Sequence, residues 1–199
     1  MITEGQGLAK RSALLLLVVC LCPDLLTGLA KPWKRHTIDS SSKAAGKLGA
    51  DGVRLADVNG DGLLDITTGW EQGGAIVVYQ NPGPAKARAA WPSVTVGRVV
   101  SPEDAVFVDL DNDGNLDVVS SCEGSARTMY IHWAPATRGD YWNPSAWKTG
   151  AIPATKGKQL WMFAAPAQLD GRGAVELFVS SKGAAVSYTH LTLPTTPNV

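Results

Sequence analysis

One nine-residue pattern, read twice, constrains the fold of this chain more than any other feature. Asp57-Val58-Asn59-Gly60-Asp61-Gly62-Leu63-Leu64-Asp65 recurs 52 residues later as Asp109-Leu110-Asp111-Asn112-Asp113-Gly114-Asn115-Leu116-Asp117. A third, worn copy runs from Gln168 to Glu176 (QLDGRGAVE), offset by a further 59. Self-similarity at a long fixed period marks an array of like supersecondary units. Each copy lies between two apolar runs, GVRLA and DITTG, DAVFV and DVVSS, MFAAPA and ELFVS. Further strand-like runs, AIVVYQ at 75–80 and TMYIHWA at 128–134, fall between the copies. The spacing therefore predicts about four short strands per unit. Twenty-one Gly and twelve Pro in 199 residues suit short strands and turns better than long helices.

A second marker keeps step with the first. Trp33, Trp91 and Trp147 each stand five residues before Ile38, Val96 and Ile152. These segments read as the outermost strands of successive units, with the tryptophans packing between units. Trp33 then belongs to a strand expected to close the ring of a longer protein. The expected fold is all-β: a partial β-propeller with two full four-stranded blades, part of a third, and that N-terminal strand. A flat solenoid is the rival architecture.

These residues carry a resemblance. The chain resembles a secreted bacterial FG-GAP/VCBS-type repeat protein over most of residues 31–185, with the two Asp-rich loops as the most specific part. The resemblance implies a propeller, often seven-bladed, with calcium in the blade loops. It leaves function open among adhesion modules, integrin-like heads and polysaccharide-acting enzymes.

The loops suit a hard cation, which takes six to eight oxygen ligands. The first offers Asp57, Asn59, Asp61, the Leu63 carbonyl and Asp65; the second offers Asp109, Asp111, Asp113, the Asn115 carbonyl and Asp117. Gly62 and Gly114 permit the sharp turn, and carboxylates this close repel one another without a cation. An EF-hand is excluded, because position 12 is Thr68 or Ser120 rather than Glu and the flanks are strand-like. The metal-free alternative is an Asx-rich turn capping a hairpin. Two Ca2+ sites are expected and none at the third loop. There Arg172 replaces the central Asp and would stand as an internal cation between Asp170 and Glu176.

The ends read differently from the middle. Lys10 and Arg11, the apolar run Ala13–Cys22 and the small residues of Gly28-Leu29-Ala30 make residues 1–30 a signal peptide. The run is too short for a bilayer span, which needs about 20 apolar residues; a retained helical anchor is the alternative. Secreted or periplasmic location follows, with no stable membrane span after cleavage. Residues 186–199 resemble a translated sequencing adapter and are expected to be a non-native tail, the alternative being a Thr-rich strand. Cys122 is then the one thiol outside the signal, read as a small buried hydrophobe.

Eighteen basic against eighteen acidic residues argue against a nucleic-acid partner held by bulk charge. Outside the loops, Asp51 and Glu103 occupy equivalent phase, with Arg54 and Asp104 beside them. Such carboxylates at a channel mouth suit acid–base chemistry on a sugar, or are solvated loop charges. Trp70, Tyr79, Trp133, Trp161 and the inserted pair Tyr141-Trp142 are candidates for stacking on sugars, while His132 reads as a packed or surface histidine rather than a ligand. The leading expectation is a binding or scaffold module for carbohydrate or a cell-surface protein. The alternative is an exported polysaccharide lyase or sugar dehydratase with its active site mostly in further blades.

Overall fold

The computed structural model describes residues 33–169, 171, 175–183 and, for backbone alone, 187–188. The chain divides into residues 1–35 and residues 36–199. Residues 33–35 of the first unit carry no regular structure; the signal expected at 1–30 lies outside the described residues. Among the described residues no helix is long and apolar enough to cross a membrane.

The second unit is all-β. Strands β1 (Ala50–Ala56), β2 (Asp65–Trp70), β3 (Ala75–Tyr79) and β4 (Ser93–Arg98) form one antiparallel meander in that order. Strands β5 (Pro102–Val108), β6 (Asp117–Cys122), β7 (Met129–Trp133) and β8 (Lys148–Ala151) form the second. β9 (Trp161–Ala167), β10 (Glu176–Ser181) and β11 (Ser187–Tyr188) form a three-stranded third. These are blades of a partial propeller, and among the described residues they close no barrel. Ser187 and Tyr188 pair with Val179 and Phe178. Such pairing runs through backbone amides and carbonyls, so it fixes where this part of the tail lies.

The strands alternate between two cores because their side chains alternate between two faces. Ile76 and Val78 of β3 join Ala105 and Phe107 of β5 and Val118 of β6 between the first and second blades. Val106 and Val108 of β5 join Met129, Ile131, Leu177 and Val179 between the second and third. A sheet buried on both faces reads as a continuous apolar run, hence AIVVY and DAVFV. Ala75, Val77 and Tyr79 form a smaller core on the outer face of the first blade, with Ile38 and Trp91 against it.

Two of the three in-phase tryptophans pack as expected. Trp147 is buried between the first two blades, and Trp91 packs on the outer face of the first. The reading fails at Trp33, which is 96 % exposed, and residues 33–41 form no strand. A strand is held by its ladder, and here Trp91 N–H donates to Ile38 O at 2.9 Å without a ladder around it.

Candidate metal centre

Each Asp-rich loop joins the first two strands of a blade, β1 to β2 and β5 to β6. Two backbone positions in each loop turn left-handed. Gly62 and Gly114 have φ of 83° and 86°, and position four is Gly60 at 76° or Asn112 at 59°. Asn is among the few side-chain-bearing residues that enter this region readily.

The turn aims backbone N–H groups at the first carboxylate. Asp57 Oδ1 accepts from Gly60 N (2.8 Å) and Asp61 N (3.1 Å), and its Oδ2 accepts from Gly62 N at 2.8 Å. The Gly62 bond, with its neighbours, holds the Asp57 carboxyl below the usual range. In the second loop Gly114 N donates to Asp109 Oδ2 at 3.0 Å. Asp61 Oδ1 and Asp113 Oδ1 accept from Leu63 N and Asn115 N at 2.8 and 2.7 Å.

Position nine has a second role. Asp65 Oδ2 accepts from Val58 N and its Oδ1 from Asn81 N; Asp117 accepts likewise from Leu110 N and Ala134 N. Each buried carboxylate thereby ties its loop to the far end of β3 or β7. Burial pushes Asp117 up to about 7, with Asp111 and Asp113 adding to the rise. The same bond survives in the third copy, where Leu169 N donates to Glu176 Oε2 at 3.0 Å. The proposed Arg172 cation and Asp170 lie outside the described residues.

The second loop meets the donor test for a divalent cation. One carboxylate oxygen from each of Asp109, Asp111 and Asp113 lies within 4.8 Å of the others. Asp109 Oδ1 is buried and has no hydrogen-bond partner, a costly state for a carboxylate oxygen unless a cation meets it. Arg138 was not a sequence candidate, yet its Nη2 donates to Gly114 O at 3.4 Å and its guanidinium lies against Gly60. One cation thus sits beside both loops.

Residues 57–120 match the family model for an FG-GAP-like repeat. The matched stretch runs from Asp57, the first residue of the first loop, through the second loop and most of β6. No curated protein matches the chain.

Away from this FG-GAP-like stretch's loops, the other candidates separate. Arg54 and Asp104 form a forked ion pair from β1 to β5, Nη2 to Oδ2 at 2.7 Å and Nε to Oδ1 at 3.1 Å. Asp51 is exposed and accepts from its neighbour Gly52 N. Glu103 is only 7 % exposed and shares a cluster with Glu71 and Glu123, neither of them singled out by sequence. Burial, then the Glu123 and Glu71 charges, push Glu103 up to about 7.

The aromatic candidates are largely packing residues. Trp70, Tyr79, Trp133, Trp161 and Tyr141 are buried. Tyr141 meets Trp142 and Trp147 edge-on at 5.5 and 4.8 Å and donates to Leu116 O at 3.0 Å. Its ring is therefore taken by neighbours, and Trp142 packs on the same core. His132 is fully buried between Ser120 Oγ (2.9 Å) and Thr149 Oγ1 (2.8 Å), and burial lowers its pKa to about 3. Buried Cys122 has its thiol pushed up to about 12, chiefly by desolvation; it fits the small-hydrophobe reading.

Proposed function

We propose that this chain is part of a secreted β-propeller whose blade loops hold structural calcium, acting as a binding or scaffold module for a carbohydrate or cell-surface partner. The observation that carries the calcium reading is the convergence of Asp109, Asp111 and Asp113 around a buried, unpartnered Oδ1 of Asp109. All donors come from one loop between paired strands, so the ion would pin the entry hairpin of its blade. Binding to the folded loop alone stabilises by mass action. Extracellular calcium modules hold the ion at about 10⁻⁴–10⁻³ M, which suits an exported protein; the basic, apolar and small-residue order of residues 1–30 supports export.

The test is a thermal melt of the full chain with calcium and with chelator. Chelation is expected to lower Tm by several degrees, and combined Asp61→Ala and Asp113→Ala to remove most of that response. An identical melt in both buffers would refute structural calcium. A glycan array probed with the calcium-loaded chain tests the carbohydrate partner.

A further inference from the structure

We infer that the two Asp-rich loops are unequal sites, the second being the tight, cation-demanding one and the first a weaker one that its own hydrogen bonds already close. This rests on the calcium reading above. In the second loop, three carboxylates converge and one buried oxygen of Asp109 is left without a donor. In the first, the equivalent Asp57 uses both oxygens, taking three backbone N–H groups. Position three carries the chemical difference. Asn59 donates from Nδ2 to Asp61 Oδ2 at 3.0 Å while its Oδ1 accepts from Asp61 N at 3.0 Å. In place of that neutral amide the second loop has the carboxylate of Asp111, whose Oδ1 accepts from Asp113 N at 3.2 Å. The first loop therefore has one anionic ligand fewer; the central Asp is engaged alike in both, Asp113 accepting from Asn115 N and Nδ2 at 2.7 and 3.1 Å.

Carboxylate oxygens accept hydrogen bonds in both loops, but a cation entering the second also satisfies Asp109 Oδ1, an oxygen that nothing else meets. Calcium affinity is set by ligand charge count and site rigidity. The charge count favours the second loop, by at least about tenfold in Kd.

The experiment is calorimetric titration of the chelator-treated full chain with Ca2+ alone, alongside the reciprocal substitutions Asn59→Asp and Asp111→Asn. Two classes of site are expected. Asp111→Asn should weaken the tight class at least about tenfold towards the loose one, and Asn59→Asp should tighten the loose class. Equal sites in the unaltered chain, or a tight class that Asp111→Asn leaves in place, would overturn the inequality while keeping calcium. No heat of binding in any of the three proteins would overturn the calcium reading itself. Because the two substitutions act in opposite directions, loss of fold in one leaves the other as the deciding measurement.

Discussion

Among the described residues, Glu103 is, with Asp117, one of two carboxyls that the fold pushes up to about 7. Its carboxyl, pushed up to about 7 by burial and by Glu123 and Glu71, keeps a proton that the unfolded chain releases near 4.5. The native state then binds more protons than the unfolded state between these values. Stability falls as pH rises through that window and levels off above 7. Urea unfolding at fixed saturating calcium is expected to show this slope in the unaltered protein. Glu103→Gln should flatten it and be more stable by about 1–2 kcal/mol at pH 8; an unchanged slope would show that Glu103 is ionised throughout. The loop carboxylates were legible in the sequence because nine consecutive residues hold them all. Glu103 was singled out by its phase, but Glu71 and Glu123 were not, since the three meet only when two blades pack. One signal was available: Glu71, Glu123 and Lys182 repeat at the same offsets, 52 and 59, as the loops themselves.

At the scale of the element, strand existence followed from composition and alternation. Runs such as AIVVY and DAVFV have apolar residues on both faces because each of the first two sheets has a core on either side. The in-phase tryptophans predicted packing where a ladder exists and misled at Trp33, where phase alone could not supply one. Contacts between β4 and β7 were invisible in sequence. A Cβ at Gly97 would overlap the His132 ring, which is fixed by Ser120 and Thr149. Gly97→Ala is therefore expected to destabilise by about 1–3 kcal/mol, read as a lower urea midpoint at unchanged slope. A midpoint equal to that of the unaltered protein would mean that the second blade yields freely at this contact.

Across the whole second unit, blades are joined by cores and by a few charged ties. Asp104 is 1 % exposed and its partner Arg54 reaches it from the neighbouring blade. Its guanidinium also lies 5.9 Å from the Phe163 ring on the third blade. Arg54→Ala strands a buried carboxylate and is expected to cost about 2 kcal/mol, discounted for Arg54's partial exposure. Arg54→Met with Asp104→Asn should recover most of that loss in the same unfolding assay. A double variant as unstable as Arg54→Ala would place the cost in packing rather than in charge.

The Lys182 ammonium lies 3.2 Å from Glu123, and Lys182 stands at the repeat position that Glu71 and Glu123 hold in the earlier blades. The first two Asp loops share a pattern and differ at position three, Asn59 against Asp111. The Lys182 position differs in the sign of its charge. An unequal crossover replacing the third repeat with a copy of the second would set a glutamate against Glu123, in a corner already crowded with Glu71 and Glu103. A single sign of charge at this corner thus sets the third blade apart from the first two.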